Sequence, residues 1–271
     1  MAPIRRTFTV DVLRPVAHAA GMDATVLVQT VPSEDETSEF LAIADADPLV
    51  AAVTGWVDLT TPDVEDRIAG LLEAPGGHHL RAIRHGVQDE PDPSWLGRQD
   101  VRRGIRAVGA AGLAYELLVK APQLPAALDV AQALPEVRFV LDHCGKPSIA
   151  DHLAGSGDGF RVWDDAIHQL ADAGNVVCKV SGLVTEARWD SWSASDLAPY
   201  LDVVMLSFGP ERAMFGSDWP VCLLATSYAD WVETVELCFG GLSRHELWCL
   251  FAGTAGKTYR IDVAESVAPP R

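Results

Sequence analysis

The sequence is poor in basic residues, in cysteine and in long apolar runs. Lys and Arg number 21 against 38 Asp and Glu, giving a net charge of −17 and a pI of about 4.7. That balance denies the chain the positive face that nucleic acid or an anionic membrane surface requires. No apolar run is long enough to span a bilayer. Arg5 and Arg6 are followed by Thr7-Phe-Thr-Val-Asp11, not by the apolar core of a signal peptide. A cytoplasmic chain is expected. The five cysteines stand singly, with no C-x-x-C pair and an odd count, so a disulfide framework is not expected. Cys178 reads as a core thiol, and Cys144, beside His143, is the one candidate for reactivity. There is no G-x-S-x-G elbow, no P-loop and no H-E-x-x-H pair. Gly155-Ser-Gly-Asp-Gly159 is glycine-rich, but it does not join a strand to a helix as a phosphate cradle must.

What is present is apolar and regularly punctuated. Of the 271 residues, 48% are hydrophobic, enough for the core of one large α/β domain. Short apolar runs at 24–29 (this one β-branched), 50–59, 80–87, 114–119, 138–144, 175–181 and just before Asp218 read as strands. Helices are expected between them, over 9–20, 33–45, 61–73, 99–111, 123–134, 160–173 and 195–207, with two more at 228–239 and 244–252. Ser33 with Glu36 and Ser243 with Glu246 form capping boxes, and Thr61-Pro62 reads as a helix start. Strict alternation means a parallel sheet with helices outside. One domain over 1–263 is expected, followed by a disordered tail over 264–271. The count is seven strands, and the chain opens with a helix.

Three strand ends carry titratable groups. Met214-Phe-Gly-Ser-Asp218-Trp-Pro220 is a buried run ending in an acid, stopped by a proline that cannot donate to a ladder. Phe139-Val-Leu-Asp-His143-Cys-Gly-Lys146-Pro147 has the same shape. Leu80-Arg-Ala-Ile-Arg84-His85-Gly86 is the third. In an α/β barrel this edge is where chemistry is done. Asp218 there can act as a base, hold a metal or merely cap a turn. His143 can be functional or a satisfied core histidine. Arg84 and His85 point to opposite faces; Arg84 is the candidate for gripping a carbonyl or carboxylate, with a surface ion pair as the alternative. Lys146 and Lys179 bring positive charge near the pocket. Trp219 supplies an aromatic wall, and Trp56, Trp95, Trp189 and Trp192 either wall a sugar-sized pocket or pack. His78-His79, after Pro75-Gly-Gly77, read as turn residues.

The stretches Gly55-Trp-Val-Asp-Leu59, Ile83 to Leu96, Leu141 to Pro147, Cys178 to Leu183 and Met214 to Val221 resemble the sugar-lactonase branch of the amidohydrolase superfamily, the L-fuconolactonase-like proteins. Phe251 to Ile261 resembles that branch's C-terminal helix. The likeness covers nearly the whole chain, in order. It implies a (β/α)8 TIM-type barrel that hydrolyses a small sugar-derived lactone. It implies that Asp218 activates water, that His143 sits at the lactone carbonyl and that Arg84 binds substrate. Lys146, Lys179 and Trp219 are further substrate-binding candidates from their own chemistry.

One departure stands out. The superfamily's first strand carries His-x-His, and no His-x-His occurs here. With the count of seven, this leads us to expect a barrel lacking its first strand. No metal ligand is assigned; a divalent cation such as zinc is the cofactor to consider, and its ligand set is incomplete without that pair. An oligomer is possible. The alternatives are a metal-dependent decarboxylase or amide hydrolase, or an inactive truncated barrel.

Overall fold

A computed structural model describes residues 2–263; the tail expected over 264–271 lies outside the described residues. Seven strands form one parallel sheet in sequential order: β1 (Thr25–Val28), β2 (Val50–Gly55), β3 (Leu80–His85), β4 (Ala114–Leu117), β5 (Arg138–Leu141), β6 (Val176–Val180) and β7 (Ala213–Phe215). Sequential order with a helix between neighbours is the pattern of a barrel rather than of a doubly wound sheet. The sheet curls, its helices pack outside, and β1 and β7 are its two edges.

The helices are α1 (Val10–Ala19), α2 (Glu34–Ala46), α3 (Val64–Glu73), α4 (Gln99–Ala110), α5 (Leu124–Ala133), α6 (Ile149–Leu153), α7 (Gly159–Ala171), α8 (Leu183–Glu186), α9 (Ala194–Phe208), α10 (Tyr228–Cys238), α11 (Arg244–Trp248) and α12 (Thr254–Tyr259). A π turn over Cys249–Gly253 joins the last two. The Ser243–Glu246 box forms in full. At α2 only half of the box forms: Ser33 Oγ accepts from the Glu36 N–H, while the Glu36 carboxylate accepts from the Thr30 and Val31 amides instead.

Several boundaries differ from expectation. Strand β5, expected over 138–144, ends at Leu141, because Asp142–Gly145 form a tight turn in which His143 and Cys144 are left-handed. Strand β2 stops at Gly55, and α3 begins at Val64 rather than at Thr61. Asp58 is the cause: its side chain accepts from Thr60 N–H at 2.9 Å and its carbonyl from Thr61 Oγ at 3.0 Å, closing a turn where a helix start was expected. The segment after β5 also contains helix α6.

The inner face of the sheet has two layers, set by the period of two along each strand. The lower layer is small and apolar: Ala52, Ala82, Ala114, Val140 and Met214 cluster with Val26, Val177 and, from α12, Tyr259. Two residues further along the strands the layer becomes polar: Thr54, Arg84, Glu116, Asp142 and Lys179. The outer faces pack on the helices in one continuous core, with Ile83, Tyr115, Phe139 and Cys178 all fully buried.

Candidate active site

The polar layer is a closed charge network. Lys179 Nζ donates to Glu116 Oε2 at 2.7 Å and lies 2.8 Å from Asp142 Oδ1, a contact of charge more than of hydrogen-bond alignment. Arg84 Nη1 donates to Asp142 Oδ2 at 2.9 Å. The same guanidinium donates to the Gln29 side chain at 3.2 and 3.1 Å and to the Gln29 carbonyl, tying β3 to the end of β1. Glu116 Oε1 accepts from Thr54 Oγ1 at 2.8 Å and from the Tyr259 hydroxyl at 2.6 Å. Two carboxylates thus meet two cations, so each buried charge lies against an opposite one, as burial of charge demands. Burial alone would push the Asp142 carboxyl up; Lys179 and Arg84 override it and hold it well below the usual carboxylate range. Burial would likewise lower Lys179, but Asp142 and Glu116 raise it.

Above this layer stand His143 and Asp218. His143 Nε2 is 3.7 Å from Asp218 Oδ1, and both side chains keep some exposure, 12% and 15%. His143 Nδ1 lies 2.9 Å from Ser181 Oγ. Both residues have left-handed backbones, with φ of 52° and 53°. Such values are uncommon outside glycine, and they cluster where the surrounding structure holds a side chain for a purpose. Each turn is pinned by a tryptophan from the helix after its own strand. Trp163 of α7 donates to the Cys144 carbonyl at 2.8 Å, and Trp231 of α10 donates to the Gly216 carbonyl at 2.9 Å. Gly182 lies against the His143 ring so closely that a Cβ there would sit 2.7 Å from the imidazole. The two reactive side chains are therefore set on rigid supports.

A cavity of about 1750 Å³ opens beside them, lined by the β1 and β7 edges and by Arg84, His143, Lys179, Asp218 and Trp219. The ring of Phe8 packs edge-on to Trp219 at 5.0 Å.

Five of the six expected site residues meet here. Lys146 does not: its backbone is left-handed at φ 47°, and its Nζ lies 3.6 Å from Glu186, apart from the cavity lining. Lys179 faces inward but is spent on Glu116 and Asp142. Among the other tryptophans, Trp56 donates to His85 Nδ1 at 3.2 Å and Trp95 stacks on His85 at 4.3 Å, so both pack the loop after β3. Trp192 donates to the Ala225 carbonyl, and Trp189 is exposed. Cys144 is fully buried. Glu116, Gln29, Ser181 and Tyr259 belong to the site and were not singled out from sequence.

A family model for amidohydrolases matches residues 2–261. The chain belongs to the amidohydrolase family. This amidohydrolase is 38% identical over 267 residues to an L-fucono-1,5-lactonase of Burkholderia multivorans, covering 96% of this chain and 88% of that one. It is 37% identical to an L-fucono-1,5-lactonase of Burkholderia ambifaria, covering 96% and 87%. A crystal structure of an amidohydrolase from Burkholderia multivorans superposes with a TM-score of 0.91 at 38% identity, over 97% of this chain and 92% of that one; a second crystal form of it, with bound zinc, gives 0.90.

The zinc in that relative calls for a comparison with the donors present here. A catalytic zinc takes three protein ligands. At the mouth of this barrel His143 and Asp218 are the two suitable donors among the described residues; Glu116 and Asp142 are committed to Arg84, Lys179 and Tyr259. The described residues there fall one ligand short of such a site. Among the described residues no helix is long and apolar enough to cross a membrane.

Proposed function

We propose that this amidohydrolase is a lactonase that opens a small sugar-derived lactone, of the class of L-fucono-1,5-lactone, to its hydroxy acid. The observation that carries the reading is the pairing of His143 with Asp218 at the cavity floor, in a chain whose relatives over nearly its whole length are named as lactonases.

In this reading Asp218 accepts a proton from water, and the water attacks the lactone carbonyl. His143 Nδ1 lies 2.9 Å from Ser181 Oγ; with the hydroxyl as donor, the imidazole proton sits on Nε2 and faces the cavity. The Nε2–H and the Arg84 guanidinium then stabilise the developing oxyanion. When the tetrahedral species collapses, Asp218 returns its proton to the departing ring oxygen. Charge favours turnover in one direction. The network below is balanced, so Asp218 is the uncompensated charge at the floor. A neutral lactone enters without penalty, while repulsion from Asp218 helps to expel the product carboxylate. Trp219 offers an apolar face to the sugar ring, and Lys146, outside the lining, acts on substrate only if its pairing with Glu186 opens.

The finer fold reading also belongs here. We infer that the β1–β7 seam is the place of an eighth strand, the first of a (β/α)8 barrel. Three features support it: the sequential order of seven strands, the two unpaired edges, and a cavity larger than the roughly 300–1,000 Å³ of ordinary ligand sites. A cytoplasmic location remains part of the proposal, resting on composition.

The test is proton release from a panel of aldono-1,5- and 1,4-lactones, with L-fucono-1,5-lactone among them. Hydrolysis well above the spontaneous rate is expected for at least one 6-deoxy sugar lactone. A panel with no acceleration, alongside rapid decarboxylation or amide cleavage by the same preparation, would overturn the reading.

A further inference from the structure

The histidine pair His78-His79 lies far from the chemistry above. It occupies a tight turn over Gly77–His79 that feeds the start of β3, the end of the barrel opposite the mouth. Their rings lie 4.0 Å apart, tilted by 40°. Asp45, in the last turn of α2, reaches the same place, and one ligand atom from each of the three residues falls within 4.8 Å of the others.

We propose that Asp45, His78 and His79 form a binding site for a divalent cation of the zinc class, separate from the active site. Four observations support this. The donor set is right: two imidazoles and a carboxylate suit zinc, nickel or copper and supply the three protein ligands of an open site. The tautomer is right: His79 Nδ1 faces the Ala51 carbonyl at 3.5 Å. A carbonyl only accepts, so the tautomer that donates there carries its proton on Nδ1 and leaves the Nε2 lone pair for a metal. The support is rigid: Gly76 has φ 75°, and a Cβ on it would sit 2.4 Å from the Leu41 carbonyl oxygen, while one on Gly77 would sit 2.3 Å from that of Leu72. The turn is thus wedged between α2 and α3. The field is right: the C-terminal end of α2 carries partial negative charge, which favours a cation. Zinc ligand atoms in a tetrahedron lie about 3.3 Å apart; Asp45 and His78 are exposed and free to close that distance by rotation.

A bound cation would staple α2 to the turn ahead of β3, securing the base of the barrel next to the sheet's open side. Binding to the folded state alone raises the melting temperature with metal concentration.

The experiment is equilibrium dialysis of metal-stripped protein against ZnCl2, read by elemental analysis, with thermal melts in parallel. The His78→Gln/His79→Gln double variant should bind one zinc equivalent fewer than the parent. It should lose the parent's zinc-dependent rise of a few degrees and keep the parent's lactone hydrolysis rate. Equal zinc equivalents in parent and variant, or an equal rise in melting temperature, would overturn the proposal. Should the double variant not fold, Asp45→Asn decides. It leaves both imidazoles in place and should weaken zinc binding by roughly tenfold or more; unchanged binding would overturn the site.

Discussion

The two sides of the sheet are built to different rules. Along β4 every residue is buried, and along β1 every residue is half-exposed. The β3–β6 arc carries the four inward charges, Arg84, Glu116, Asp142 and Lys179, locked to one another under a continuous outer core. The seam side carries the cavity and, at the end of β7, Asp218. A buried charge network costs folding energy unless every member is paired, so it belongs where the strands are continuous. A group that must exchange protons with water needs access, so it belongs where the sheet opens. Mutations of Glu116, Asp142 or Lys179 should therefore cost stability, mutations at the seam should cost turnover, and mutation of Arg84, which also lines the cavity, should cost both.

The sharpest test of that division is Asp218→Asn. Asparagine tolerates the left-handed backbone that aspartate adopts there, so the fold should persist. What is lost is the proton acceptor, and general-base catalysis is worth about 10²–10⁴-fold. Lactone turnover should fall by roughly a thousandfold, with the melting temperature unchanged within about a degree. A variant that melts early would place Asp218 among the structural charges and erase the distinction.

Glu116→Ala should do the reverse. It strips Lys179 of its hydrogen-bonded partner and leaves the Thr54 and Tyr259 hydroxyls without their acceptor. Breaking a buried pair in this way costs about 3–5 kcal/mol. Urea unfolding measures it; a loss below about 1 kcal/mol would mean that the network is not the structural element of the arc.

Packing offers a milder version of the same contrast. Leu141, fully buried at the end of β5, should lose about 2–5 kcal/mol on truncation to Ala. Leu27 on β1 is half-exposed, and the same truncation should cost no more than about 2 kcal/mol, since less area returns to water. Equal losses would show that the seam is as tightly packed in solution as the arc.

Much of this architecture is legible in the sequence, because a buried strand must be apolar and a parallel sheet must be interrupted by helices. The seven strands fall where the short apolar runs are. His143 and Asp218 stand out because each ends such a run ahead of a glycine or proline. The charge network is less visible, although its signal is there. Ala82-Ile-Arg84, Ala114-Tyr-Glu116, Val140-Leu-Asp142 and Val177-Cys-Lys179 repeat one pattern: a small or apolar residue, then a charge two positions on, facing the same way. Read strand by strand, each charge looks incidental; aligned across strands, they form one layer. Lys146 shows the opposite limit. It follows three residues with left-handed backbones, His143, Cys144 and Gly145, so strand alternation no longer says where its side chain goes. Trp163 and Trp231, which pin the two reactive turns, are ordinary core residues by sequence, and only the fold aims their indole N–H groups at Cys144 and Gly216.

The smallest expected effect is on pH dependence, and it separates the two sides without disturbing either. Asp142 is depressed, so its contribution to stability is present above the unfolded carboxylate value of about 4 and is lost as pH falls toward the folded one. Lys179 is raised, so its contribution is present below about 10.4 and is lost as pH climbs through its folded value. Between those limits the arc should give a flat stability profile, and any bell in turnover there should come from the mouth. Two mild variants test this by chemical unfolding across pH. In Tyr259→Phe, Glu116 keeps its charge but loses its phenol donor, so the alkaline limb should hardly move. In Glu116→Gln, one of the two carboxylates that raise Lys179 is neutralised, so the alkaline limb should begin at lower pH while the acid limb, set by Asp142, shifts less. An alkaline limb indifferent to Glu116→Gln would mean that Asp142 alone holds the lysine. The arc would then be a simple Arg84–Asp142–Lys179 bridge, with Glu116 serving only to anchor the floor through Tyr259.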